Sequence, residues 1–265
     1  MVTVQDVLSL LEQFAPRDMK MDFDNVGLLV GRREKPVTKI LAALDITDWV
    51  IEEAKTLGAE LIVSHHPVLF SAKSITEDTP EGRHILTLAE NGIAAICMHT
   101  NLDAAEGGVN DALAAALGLC DTKLIDVDGV LRDGTAYGIG RVGTVSEPLE
   151  FADFLALTAK KLSAPGLKYY DSGKMVHKVA VVGGSGGSDL PKAIANGCDT
   201  FVTADVKYNV WLEAKEVGIN LIDAGHFCTE NTVLPVLCGK LQAAFGDICV
   251  KISEKHGPTA QYFVR

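Results

Sequence analysis

One stretch of this chain occurs twice in similar form, and that repeat limits the fold more than any other feature. Lys39 to Val63 aligns without a gap on Lys178 to Val202, a constant shift of 139 positions. Lys39, Ala54, Gly58 and Val63 meet Lys178, Ala193, Gly197 and Val202, Glu60 meets Asp199, and Ser64 meets Thr203. Each copy reads as strand, loop, helix, glycine and second strand, with the glycine as the usual left-handed helix stop. Further on, His99-x-x-x-Asp103 faces His226-x-x-x-Glu230 at a shift of 127. The 12 positions lost match Ser71 to Gly82, a polar segment present only in the first copy. Each half then closes with a helix, Val109 to Leu117 before Gly118 and Thr232 to Phe245 before Gly246.

Strands alternating with helices predict an α/β fold. The expectation is two similar βαβ-containing halves, an internal duplication, with mostly parallel sheets facing each other around a shared site. The boundary is placed between residues 126 and 127, giving halves 1–126 and 127–265, with Asp126 to Asp133 as linker. The last strand, Thr259 to Val264, is free to complete either sheet. Outside the repeat, Thr3-x-x-Asp6 reads as a capping box opening a helix with Val4, Val7, Leu8, Leu11 and Phe14 on one face. A second helix is expected from Ser146-Glu147-Pro148 to Leu162.

Three apolar runs in this frame end in metal-seeking side chains. Glu60 to Val63 leads into Ser64-His65-His66-Pro67, and Ile93 to Met98 leads into His99 and Asp103. Ile219 to Ile222 leads towards His226 and Glu230. Parallel sheets carry ligands at the carboxyl ends of their strands. Neutral imidazole and carboxylate suit zinc, manganese, iron and cobalt alike. Five or six such groups are too many for one tetrahedral ion and suit two. The reading is a dinuclear site with hydrolytic chemistry.

Each motif also has a plainer interpretation. Adjacent strand residues point to opposite faces, so His65 and His66 reach neighbouring ions only because the chain turns at Pro67; otherwise they are hydrogen-bonded loop histidines. Asp103 fits equally as an N-cap, and Glu230 as an early-turn carboxylate. Asp205 aligns with His66 and is either an orienter of an imidazole or a loop acid. Gly183 to Gly187 lacks the spacing of a dinucleotide fingerprint and reads as a tight turn near the site. His84, His177 and His256 are expected to face solvent without partners.

Lys and Arg number 24 against 35 Asp and Glu, a formal net charge of −11 that disfavours broad nucleic-acid binding. The cysteines form no C-x-x-C pair and sit mostly in apolar runs, which fits reduced, buried thiols. No basic leader and no run of roughly 20 apolar residues is visible, so a cytoplasmic protein without a membrane span is expected.

Asp24-Asn25-Val26-Gly27-Leu28, SHHPVLF (64–70), HTNLDAAEGGVND (99–111), TADVKYN (203–209) and DAGHFCTE (223–230) together resemble the Nif-three-like dinuclear-metal family. Its members are often called GTP cyclohydrolase 1 type 2 homologues. Longer members carry an extra domain between the halves, and this chain resembles the short form. The resemblance implies His65, His66, Asp103, His226 and Glu230 as metal ligands, Glu230 bridging, with His99 nearby. It also implies a homohexamer of two stacked trimers. Ala204 and Asn209 depart from the family's usual glycine and histidine and bear on the pocket wall. The expected function is a hydrolase whose two divalent ions activate a bridging water. Its small-molecule substrate would be a nucleotide such as GTP or another phosphoester, with His99 or Asp205 moving protons. The alternative is a non-catalytic metal-binding scaffold or regulatory protein.

Overall fold

The computed structural model describes Met1 to Phe263 and divides into two compact units. One holds Met1–Ala105 and Leu234–Gly257, and the other holds Glu106–Val233 and the described residues from Pro258. In the first unit a five-stranded sheet runs, edge to edge, Gly27–Val30, Ala94–Cys97, Leu61–Ser64, Lys39–Ala43 and Cys249–Ile252. All neighbours pair parallel except Gly27–Val30, which lies antiparallel to Ala94–Cys97. Leu61–Ser64 and Ala94–Cys97 are buried along their whole length, as expected for a sheet covered on both faces.

The second unit's sheet runs Cys120–Leu124, Arg141–Leu149, Val176–Val181, Thr200–Thr203, Asn220–Asp223 and Lys168–Tyr170. Only the pairs among Val176–Val181, Thr200–Thr203 and Asn220–Asp223 are parallel. The other three pairs are antiparallel, so the expectation of mostly parallel sheets holds for the first unit and fails for the second.

The hydrogen bonds of the parallel segments recur at the 139-residue shift. The Glu60 carboxylate accepts from the backbone N–H of Thr38 (3.1 Å) and Lys39 (2.9 Å). Asp199 accepts from His177 (3.0 Å) and Lys178 (2.7 Å). Lys39 Nζ donates to the Leu57 carbonyl, and Lys178 Nζ donates to that of Asn196. Gly58 and Gly197 both stop their helices in the left-handed region, at φ +65° and +69°.

Other expectations need correction. The units are not the halves 1–126 and 127–265. Helix Leu234–Ala244 buries Leu234, Leu237 and Leu241 and leads into Cys249–Ile252, which joins the first unit's sheet beside Lys39–Ala43. The strand expected over Thr259 to Val264 is not formed over 259–263, and Val264 lies outside the described residues. The supposed linker lies inside the second unit, where Gly129–Val130 pairs with Ala136–Tyr137 as a hairpin. Ser146-Glu147-Pro148 ends the strand Arg141–Leu149, and the helix begins only at Phe151. Proline fits a bulged or edge stretch of strand as well as a helix start, and this strand's pairing is irregular between Thr144 and Leu149, so the motif suits both. The capping box is present: Thr3 Oγ1 accepts from Asp6 N–H, and the Asp6 carboxylate accepts from Thr3 N–H. No disulfide joins the six cysteines; Cys97, Cys198 and Cys228 are buried, whereas Cys120 and Cys249 are exposed.

Candidate metal centre

In the first unit, strand Leu61–Ser64 hands the chain directly to His65, which is fully buried. His65 Nδ1 donates to the Met98 carbonyl at 2.9 Å, just past the neighbouring strand. His66 Nδ1 lies 2.8 Å from Asp45 Oδ1, and His99 Nδ1 lies 2.8 Å from Asp24 Oδ1. One ring nitrogen from each of these three histidines lies within 4.8 Å of one from each of the others. Asp103 sits in the short helix Thr100–Ala104, so it is not an N-cap, and its Oδ1 is 3.6 Å from His65 Nε2.

Asp24 is itself firmly held. Its second oxygen accepts from the Thr100 N–H (3.0 Å) and hydroxyl (2.5 Å). Burial opposes its ionisation, but the hydrogen bonds from His99 and Thr100 outweigh burial and keep the carboxyl well below the usual carboxylate range.

In the second unit, His226 opens the helix His226–Glu230 and Glu230 ends it, so both side chains lie on one face. His226 Nε2 is 3.1 Å from Glu230 Oε1, and His226 Nδ1 is 2.7 Å from Asp205 Oδ2. Asp205 occupies the left-handed region at φ +50°, which aspartate tolerates better than most residues. Gly184, at φ +63°, packs against the pair: a Cβ there would lie 2.1 Å from Glu230 Oε1 and 3.2 Å from His226 Cε1. Its N–H donates to Thr229 Oγ1 at 3.0 Å.

These donors fit a divalent cation on chemical grounds. The partner of every Nδ1 is a carbonyl or carboxylate oxygen, which only accepts, so the ring proton belongs on Nδ1. A neutral ring then presents the lone pair of Nε2. In His226 that lone pair faces a carboxylate oxygen, and in His65 it faces Asp103. Two acceptors at such range repel unless a proton or a cation lies between them. Either a proton is shared by the ring and the acid or a cation belongs there, and holding Nδ1 by carbonyl or carboxylate is how proteins aim histidine at a metal.

The structure thus brings His65, His66, His99 and Asp103 together in one unit, and Asp205, His226 and Glu230 in the other. Three contributors carry little signal in the sequence. Asp45 follows a strand end but belongs to no motif; Asp24 has no spacing that ties it to His99; and Gly184 has the pattern of a tight turn. The other histidines also need correction. His84 Nε2 lies 3.2 Å from Asp48 and is largely buried, and half-buried His256 accepts from the Leu44 N–H through Nδ1. His177 is exposed, as expected.

A family model described as Duf34/NIF3 (NGG1p interacting factor 3) matches residues 2–258. A protein of Clostridium perfringens named "GTP cyclohydrolase 1 type 2 homolog" is 42% identical over 233 residues, covering 87% of this chain and 88% of the relative. A Lactococcus lactis protein of the same name is 32% identical and covers 98% of both chains. Among solved structures, a Bacillus cereus protein related to NIF3 superposes with a TM-score of 0.93 at 25% identity, over 99% of each chain. Reduced HcgD from Methanocaldococcus jannaschii gives 0.80 at 29% identity, over 96% of this chain and 98% of that one.

Proposed function

The chain belongs to the Duf34/NIF3 family, and we propose that it is a divalent-metal-dependent hydrolase with a dinuclear centre. In this reading His65, His66, Asp103, His226 and Glu230 would hold the two ions, with Glu230 in the bridging role that the family resemblance implies. The observation that carries it is the common treatment of four imidazoles, each tied at Nδ1 to a carbonyl or carboxylate oxygen. A merely structural histidine has no need of that uniform orientation. The recurrence of the same hydrogen bonds at a fixed shift supports a duplicated ancestor for the two frames.

Two divalent cations held there would supply Lewis acidity, which can lower the pKa of a water and polarise a substrate oxygen. The chain's own residues do the rest. Asp45 and Asp205 hold His66 and His226 in the tautomer that exposes Nε2. His99, backed by Asp24, accepts or delivers a proton at Nε2, and Asp24 stabilises the imidazolium that results. The relatives' names point to GTP as a first substrate to test, with simple phosphodiesters as the second class. Assembly as a homohexamer belongs to the same reading and is checked by light scattering.

The test is to strip metal, reload with zinc, manganese, iron(II) or cobalt, and assay formate release from GTP and cleavage of a nitrophenyl phosphodiester. Metal-dependent turnover is expected. No turnover with any metal, together with a large metal-induced rise in Tm, points instead to a non-catalytic scaffold. Glu230→Gln should lower occupancy from two ions per chain towards one or none by elemental analysis. Two ions retained in that variant refute the bridging role.

A further inference from the structure

Two phenylalanines beside the histidines of the first unit are exposed where apolar side chains are normally covered. Phe23 is 62% and Phe70 47% exposed. Their ring centroids are 6.2 Å apart at 53°, and Phe70 meets the His99 ring edge-on at 6.4 Å. The backbone carrying them is tied down. Asn25 Nδ2 donates to the Leu69 carbonyl (2.7 Å), and Phe70 N–H donates to Glu81 (2.7 Å). Met21 N–H donates to Thr100 Oγ1 (2.9 Å), and Asp24 binds His99 and Thr100. The bonds that position His99 therefore also position Phe23.

Firmly held, exposed aromatics, one of them packed against His99, are poor stabilisers of a fold and good contacts for a flat guest. Tilted at 53°, the pair offers one ring face and one ring edge to a third ring. We propose that Phe23 and Phe70 are specificity-determining residues that grip a planar heteroaromatic ring of the substrate, a nucleobase or a ring of that kind. This deepens the hydrolase reading and rests on it: the ring stacks on the phenylalanines while the bond to be cleaved lies against the histidines.

Equilibrium dialysis of the metal-loaded full-length protein tests the idea, with GMP, AMP, CMP and UMP against ribose 5-phosphate, which has the sugar and phosphate but no ring. At least one nucleotide should bind 10-fold or more tighter than ribose 5-phosphate. Phe23→Ala and Phe70→Ala should each erase roughly 5- to 150-fold of that preference, the range for one base stacking on one aromatic side chain. Ribose 5-phosphate binding should not change, and Phe70→Trp should restore nucleotide binding. No nucleotide preferred over ribose 5-phosphate, or alanine variants that bind nucleotides like the parent, overturns the inference. Metal content of the same samples separates the two levels: two ions without ring preference sink this inference alone, and no ions sink the hydrolase reading with it.

Discussion

Each unit contains a three-strand parallel segment with matching backbone clamps, and different residues stand on its rim. At positions 139 apart, Glu60 and Asp199 clamp backbone N–H groups, Lys39 and Lys178 cap helix ends, and Gly58 and Gly197 stop helices. At the same shift, Asp45 of the first unit corresponds to Gly184 of the second, and His66 corresponds to Asp205. The first unit answers the histidine of one loop with the aspartate of the next, at 2.8 Å. In the second unit an aspartate stands at the histidine's place and holds His226, while glycine makes room for Glu230. Frame residues are fixed by backbone geometry, whereas loop residues at strand ends are free to be set by chemistry.

The same contrast appears in the two His-x-x-x-acid motifs. His226 is the first residue of its helix, so Glu230 lies one turn away on the same face and touches it. His99 is the N-cap, outside the helix proper; it turns to Asp24, and Asp103 turns to His65. A shift of one residue in the helix start makes one spacing into two geometries.

Exchanging rim residues is the strongest way to break this comparison. Gly184→Asp, which places the first unit's residue on the second unit's frame, should drive a side chain into Glu230. Metal content should fall by about one ion per chain or more, and the metal-induced rise in Tm should shrink with it. Normal metal loading would show that the rim positions are not specialised as described. Next in size are Asp45→Asn and Asp205→Asn, each expected to weaken metal affinity by roughly 10- to 100-fold, read by competition with a chelator. An effect at only one of the two would mean that the acids do not play matching roles.

Frame substitutions should cost stability and leave metal affinity alone. Glu60→Gln and Asp199→Asn are each expected to lose about 1 kcal/mol in urea unfolding at neutral pH. Burial opposes ionisation of Glu60, but hydrogen bonds from Lys39 and Thr38 outweigh it and lower its pKa. Because the folded value lies below the unfolded one, its contribution is present above the unfolded value of about 4.3 and disappears as pH falls through the lowered one. The Glu60→Gln penalty should therefore fade in acid; a penalty constant down to pH 2 contradicts this. The smallest effect expected is about 0.5–1 kcal/mol for Thr3→Ala, which removes one arm of the capping box.

The sequence revealed what local pattern controls. Apolar runs ending in histidine pointed to side chains that the fold gathers within each unit, and Thr3 with Asp6 located the first helix start. It did not reveal what depends on long-range pairing. Asp24 reaches His99 across 75 positions, with no periodicity to announce it. Cys249–Ile252 returns to the first sheet, because a strand's pattern does not say which edge it completes. Gly184 was legible in principle: a glycine cluster after a strand implies a close approach, but the sequence could not say to what.

The account stands on cations held by these imidazoles and acids. Crystals of the metal-loaded protein, measured at the metal's absorption edge, should give two anomalous peaks per chain. One of them should lie roughly 2.0–2.2 Å from both His226 Nε2 and a Glu230 oxygen. A map with no peak in reach of that pair, from protein shown to be saturated with metal, contradicts it.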